Sequence, residues 1–413
     1  MVKRTDPPTP RVRQSARRAH GFSLVELMVG MVVALITLLL MVQSVSVFEG
    51  QKRVSTGSAD AQENGDIAMY LIGGDVRQAG YGFVNSNGLA CALFSNGVVS
   101  NAPIAPVRIT AGTAAASDAL TVAYSDSAAG AIPVGLLLAA PAPVPGGAVI
   151  KAQAPSTAAV NAGDIVLLST PQVAPSPTAA PVAGLPTTCT MAQVSAVSQA
   201  IDSVGITIGA YPANQTLSYP AGVTYDISPQ SYLYDMGSLI NKQYQVMCHT
   251  LVVSNPITTA GAPACTPNPL GFSNATSVSD NIVMLKAQYG VATAPAPAGN
   301  VGGQTVVCWV SATATGNPCD AADWSAPSAA NIQRIKAIRV AIVSRSYEPD
   351  RAHTEPNCTN ISGVQNIGPC LWPDSVGNPA PRIDLSGTPN WQNYRYRVFT
   401  ATIPLRNVIW ANL

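Results

Sequence analysis

From Phe22 to Val47 the chain reads FSLVELMVGMVVALITLLLMVQSVSV, with Glu26 as its one ionisable side chain and Thr37 as the one polar break between Leu27 and Val42. Wound as a helix at 1.5 Å per residue, the run reaches about 39 Å, more than a hydrocarbon layer of about 30 Å. A weaker helical period follows. Ala61, Gly65, Ala68, Ile72, Val76 and Ala79 recur at spacings of three and four, and Ile67 and Leu71 widen the stripe. No proline occurs between Pro10 and Pro103. The pattern therefore predicts one long helix over 22–80, able to cross a membrane over 22–48 and amphipathic beyond, stopping near Gly80 and Gly82. Gly57, Gly65, Gly73 and Gly74 each weaken the second half by about 1 kcal/mol relative to Ala, so bending or fraying is expected there.

After Tyr81 the period changes to two. Short alternating runs bounded by Gly, Pro, Asn and Ser predict strands at 119–124, 164–169, 204–208, 244–253, 286–289 and 306–310. Two runs stand out. In one, Ile338, Val340 and Ile342 face one way and Arg339, Ala341 and Val343 the other; in the second, Phe399, Ala401, Ile403 and Leu405 oppose Tyr396, Val398, Thr400 and Thr402. Pro404 suggests an edge or terminal position for the latter. The stretches 131–160, 171–188 and 291–304 are rich in Ala, Pro and Gly and read as surface loops. The fold class expected is α+β: a basic segment 1–21, a helix 22–80 and a β-rich head 81–413.

Composition sharpens this division. Charged residues make up only 10% of the 413 residues, and the net charge is +1. Residues 1–21 hold six basic side chains and one acid, a net charge of +5, so the remainder sums to −4. Without a concentrated basic surface in the head, nucleic acid is not an expected partner. Basic residues ahead of the apolar run place 1–21 in the cytoplasm and the chain beyond about residue 48 on the other side of the membrane. An uncleaved signal anchor is the plain reading of such a run. Glu26 argues against it, because a carboxylate at the bilayer centre costs roughly 2.5–3.5 kcal/mol and calls for a partner.

All eight cysteines, Cys91, Cys189, Cys248, Cys265, Cys308, Cys319, Cys358 and Cys370, fall in the part assigned outside the cytoplasm. An even count there favours disulfides. Proximity nominates Cys248 with Cys265, Cys308 with Cys319 and Cys358 with Cys370, leaving Cys91 with Cys189, although eight cysteines admit many pairings. Thiolate metal sites are disfavoured, since no C-x-x-C is present. His20, His249 and His353 are isolated in sequence, and nucleophile-elbow, zinc-protease and phosphate-loop motifs are missing, so neither catalysis nor a cofactor is expected. Asp320, Asp323 and Asp374 lack calcium-loop spacing and read as solvated loop charges. Tyr394-Arg395-Tyr396-Arg397 reads as a strand with outward arginines.

The run Gly21-Phe22-Ser23-Leu24-Val25-Glu26, basic before and apolar after, resembles the processing site of type IV prepilins. That resemblance implies cleavage after Gly21 by a prepilin peptidase, methylation of the Phe22 amine, and pairing of Glu26 in one subunit with the Phe22 amine of a neighbour. One departure is the leader, longer than is usual when the mature chain begins with Phe. Downstream, Arg77 to Tyr81, Gln288 to Val291, Arg339 to Arg345, Tyr396 to Phe399 and Pro404 to Asn407 are similar to PilW-type minor pilins. The likeness implies a minor pilin in the initiation and tip of a type IV pilus. Its implied partners are other minor pilins, the major pilin, the inner-membrane assembly platform and a tip adhesin. It would reside in the inner membrane with a periplasmic head before assembly, and in the surface fibre afterwards. A pseudopilin of type II secretion shares the N-terminal chemistry, and a membrane-anchored periplasmic enzyme is the third reading.

Overall fold

A computed structural model describes residues 21, 23–82, 92–95, 98–103, 105–127, 133–135, 149–153, 160–170, 188–199, 203–210, 232–257, 261–267, 269–293, 303, 305–350, 353–375 and 377–410. The class is α+β. A single helix, α1 (Leu24–Gln78), precedes β1 (Ala92–Ser95), β2 (Val98–Pro103), β3 (Val107–Thr110), β4 (Ala119–Tyr124), β5 (Pro133–Gly135), β6 (Val149–Gln153) and β7 (Ile165–Thr170). Next come β8 (Thr188–Gln199), β9 (Ser203–Ala210), β10 (Tyr232–Asp235), β11 (Ile240–Met247), β12 (Thr250–Ser254), β13 (Ala264–Pro267), β14 (Leu270–Ser273) and β15 (Thr276–Asp280). The chain ends with β16 (Ile282–Val291), β17 (Cys308–Val310), α2 (Ala329–Arg334), β18 (Ile335–Arg345), β19 (Cys358–Thr359), β20 (Gln365–Asn366), β21 (Tyr396–Pro404) and α3 (Arg406–Trp410).

Residues 1–55 and 56–413 form two compact units. In the second, the central sheets are a five-stranded one in the order β15-β12-β11-β4-β3 and a four-stranded one in the order β17-β16-β18-β21. Both surround the amphipathic part of α1. Ala61, Gly65, Ala68, Ile72, Val76 and Ala79, the stripe read from the sequence, are all buried. Ile67 and Leu71 are not part of it; each is 40% exposed. The buried face is made of small and β-branched residues, which lets the strands come close. Gly65 shows how close: a Cβ there would lie 2.0 Å from the Phe399 ring on β21. The helix stays continuous through all four glycines and ends where Gly80 and Gly82 adopt φ of 78° and 83°, values that L side chains avoid. Its last carbonyls, of Gln78 and Ala79, accept from the Asn407 amide of α3, each at 3.2 Å.

β18 is buried on both faces. Ile338, Val340 and Ile342 join the core under α1, while Ala341 and Val343 join a second cluster with Leu371, Trp372, Ile383 and Leu385. Arg339 shares that second face. Its guanidinium lies 4.7 Å from the Trp309 ring centre and 4.3 Å from that of Trp372, and burial lowers its pKa to about 10. Cys308–Cys319 and Cys358–Cys370 are disulfides in the two segments that carry these tryptophans, and Cys248–Cys265 is a third. Cys91 lies outside the described residues, and with it the pairing to Cys189.

Two further sequence expectations differ from the structure. The run 244–253 is two strands, because Cys248 and His249 both take positive φ (47° and 58°) and turn the chain into a β11–β12 hairpin. The Ala/Pro/Gly-rich stretch 131–160 is not all loop, since β5 and β6 lie within it and join an eight-stranded sheet with β1, β2, β7, β8, β9 and β10.

In a free helix Gly→Ala is favourable by about 1 kcal/mol, yet overpacking a filled core costs about 1–3 kcal/mol. Gly74 faces open space and Gly65 faces the Phe399 ring. Gly74→Ala should therefore raise, and Gly65→Ala lower, the denaturation midpoint of the protein.

The tyrosines supply a pH dependence. Burial, then the bond to Asp75, raises the Tyr124 and Tyr244 phenols, and burial pushes Tyr289 up to about 12. A folded pKa above the unfolded value means stability that is complete below about pH 10 and lost as pH rises through the folded values. Urea unfolding at pH 8 and pH 11 should show this fall, and Tyr244→Phe should reduce it.

Candidate processing and assembly site

The start of α1 is organised by two side chains. The Ser23 hydroxyl accepts from the Glu26 N–H at 3.2 Å, and the Glu26 carboxylate accepts from the Ser23 N–H at 3.4 Å. This reciprocal pair is a capping box, which satisfies two of the donors left open at a helix start. The Ser-x-x-Glu spacing is visible in the sequence, but reading Glu26 only as a misplaced charge overlooks it. Gly21 directly precedes this cap region in the chain; Phe22 and residues 1–20 lie outside the described residues.

Beyond the cap, the large apolar side chains from Leu24 to Phe48 are between 52% and 78% exposed. Between Leu27 and Val42, Thr37 is the polar exception, and its hydroxyl is absorbed by the Val33 and Ala34 carbonyls at 3.0 and 2.9 Å. Mean hydropathy reaches 2.6 over an 18-residue window, none of it buried, so by length and composition the helix can cross a membrane. Glu26 is the one ionisable side chain in that apolar half.

The other candidates of the sequence are engaged within the protein. Asp320 pairs with Arg334 and accepts from Ala322 N; Asp323 accepts from Ser325; Asp374 accepts from Ser362 and from Ala380 N. These bonds hold all three carboxyls below the usual carboxylate range despite the opposing cost of burial. His353 contacts Glu355 at 2.9 Å. His249 sits in the hairpin turn, its pKa lowered by burial and then by Arg345. It lines an open cleft of about 350 Å3 with Asp60, Glu63, Arg345 and Tyr347. Arg345 there stacks 4.3 Å over the Tyr394 ring and Arg395 pairs with Asp350 at 2.9 Å; Arg397 is exposed, and its guanidinium donates to Ser58 Oγ of α1 at 2.9 Å. Among the described residues no group of His, Cys, Asp or Glu is placed to hold a metal.

Against known families, residues 241–407 match the model of the type IV pilus-assembly protein W, and residues 16–42 match the prokaryotic N-terminal methylation motif. No curated protein and no solved structure matches the chain. The first match spans β11 to α3, with the four-stranded sheet and all three described disulfides; the second spans the cap and the exposed apolar run. With one match at each end, the chain resembles PilW-type, pilin-like proteins related to the type IV pilus.

Proposed function

We propose that this chain is a minor pilin, cleaved after Gly21 by a prepilin peptidase, methylated at the Phe22 amine, and built into the initiating and tip region of a type IV pilus. The observation that carries the reading is a helix whose first 25 residues expose apolar side chains throughout and carry a single carboxylate, Glu26, one turn from the cleavage position. Such a surface needs a bilayer or a bundle of like helices, and such a carboxylate needs a cation. The freed Phe22 amine of a neighbouring subunit supplies one. Domain roles follow: 1–21 is the leader, 22–48 the membrane-spanning half, and 81–413 the periplasmic head. Before assembly the protein sits in the inner membrane beside the assembly platform, and afterwards in the fibre with other minor pilins, the major pilin and a tip adhesin. The match over 241–407 favours the pilus over a type II secretion system.

Intact mass of the membrane-extracted protein should give a chain beginning at Phe22 with one methyl group. A species retaining residues 1–21 in cells with active prepilin peptidase would remove the basis of this reading.

Glu26 has two roles to separate. Gln also completes a capping box, so Glu26→Gln keeps the helix start and removes only the charge, whereas Glu26→Ala removes both. Loss of one partner from a buried pair costs about 3–5 kcal/mol, or roughly two to three and a half orders of magnitude in association. Both variants should reach the membrane at normal levels, be cleaved, and be missing from sheared pili. Incorporation of Glu26→Gln at the wild-type level would show that the charge does not direct assembly.

A further inference from the structure

The cleft beside the β11–β12 turn is walled by four elements of the unit 56–413, and these are tied to one another. Ser344 Oγ of β18 donates to Ala61 O of α1 at 2.8 Å, and Ser279 Oγ of β15 donates to Asn64 O of α1 at 2.8 Å. Arg345 N donates to Asn281 O at 2.9 Å, and Thr250 Oγ1 of β12 donates to Asp280 Oδ1 at 3.1 Å. The Cys248–Cys265 disulfide holds the turn that carries His249. The space of about 350 Å3 between these elements is therefore preformed, and its size falls in the range of small-ligand sites.

Its charges are not matched within the chain. Arg345, the last residue of β18, lays its guanidinium on the Tyr394 ring, and its Nε is buried without an acceptor. Among the described residues no carboxylate pairs with it. Burial disfavours its charge and only Tyr394 and Tyr396 favour it, so the acids of the cleft stand too far off to neutralise it. A guanidinium stacked on a ring keeps its N–H edge free for an acceptor in its own plane. Asp60 and Glu63, three residues apart and so neighbours on one face of α1, line the same cleft with Asp280. Neither Asp60 nor Glu63 is in an ion pair among the described residues. Burial and Arg345 hold the His249 pKa below its usual value, so this side chain adds no charge at neutral pH.

A simple anion would meet Arg345 but be repelled by three carboxylates. A simple cation would meet the carboxylates but leave a half-buried guanidinium unpaired, which is costly. A ligand carrying both charges satisfies both sets of groups, and three acids against one base favour an excess of positive charge on it. Tyr347 and Leu270, 71% and 52% exposed where they line the cleft, offer apolar surface to an alkyl stem.

We propose that this cleft binds a free basic amino acid, with its carboxylate on Arg345 and its ammonium groups on Asp60, Glu63 and Asp280. The assignment stands on the head alone and does not depend on the pilus reading.

The test is calorimetric titration of the full-length chain, purified in detergent, with L-lysine. Two further ligands run alongside: cadaverine, which lacks the carboxylate, and L-glutamate, which lacks the excess positive charge. L-Lysine should bind one to one with a dissociation constant below about 1 mM. Cadaverine and L-glutamate should bind at least about tenfold more weakly, and Arg345→Gln should bring L-lysine down to the level of cadaverine. Glu63→Gln, at an exposed position, should weaken L-lysine at least about threefold at an unchanged melting temperature, which keeps the test decisive if Arg345→Gln fails to fold. Full-strength binding to either folded variant, cadaverine binding as tightly as L-lysine, or a dissociation constant for L-lysine above about 1 mM overturns the assignment and leaves the pilus reading standing.

Discussion

The head depends on a carboxylate inside its helix interface. Asp75 lies on the buried face of α1, only 7% exposed, among Ile72, Val76 and Ala79. It accepts from the Tyr124 hydroxyl of β4 at 2.8 Å, from the Tyr244 hydroxyl of β11, and from Lys242 Nζ of β11 at 3.1 Å. The Lys242 side chain is 40% exposed, so its ion pair contributes little in water. The two phenol bonds matter more: hydrogen bonds to a charged group contribute about 1.5–3 kcal/mol each, and a buried carboxylate without partners costs more than that. A slip of α1 by one turn would leave the carboxylate against apolar side chains. Apolar stripes tolerate such slips; Asp75 does not, and it fixes the register of helix over sheet.

What the sequence made legible is what local periodicity encodes. The small-residue stripe from Ala61 to Ala79, the two faces of β18 and the stop at Gly80 follow from spacing alone. Asp75 does not, because a polar residue within an apolar stripe looks like its boundary until the partners on distant strands are known. The same holds for Lys286, which is 2% exposed and caged by Asp118 and the carbonyls of Thr113 and Ala116. Its position in a strand is visible, but its partners are about 170 residues away. The strands of the Ala/Pro-rich part were missed for another reason. β8 reads TCTMAQVSAVSQ and β5 reads PVG, so neither carries a run of large apolar residues. Among the described strands β8 has neighbours on both sides and β5 pairs with β10, and these neighbours rather than their own period set the pairing.

At the other end of the chain, one residue type supports two readings at once. Glu26 both completes the cap of α1 and stands as the lone acid of an apolar run. In the single chain its oxygen accepts a backbone N–H at 3.4 Å, a long and exposed bond. A cation offered by a neighbour is the stronger partner, since charge-assisted bonds are roughly twice as strong as neutral ones. On the assembly proposed above, the cap would hold the carboxylate in place beforehand without competing seriously with the proposed pair. That proposed exchange would cost one weak bond, and Ser23 Oγ would still cap the Glu26 N–H.

Aromatic and sulfur groups are concentrated in the C-terminal part of the chain. Aromatics are 6% of the chain, yet all five tryptophans, Trp309, Trp324, Trp372, Trp391 and Trp410, lie beyond residue 308. Trp324 is fully buried beside Tyr289, with ring centres 6.0 Å apart, and Trp309 and Trp372 enclose Arg339. Trp309 lies inside the Cys308–Cys319 loop and Trp372 closely follows the Cys358–Cys370 loop, so the loops need no large core of their own to stay on the sheet. Closing loops of 11 and 12 residues stabilises by about 3 kcal/mol each in the chain-entropy model, comparable to burying one large side chain. An Ala-rich head can thus hold its second sheet face with two loops, one arginine and two rings, leaving the opposite face free to carry α1.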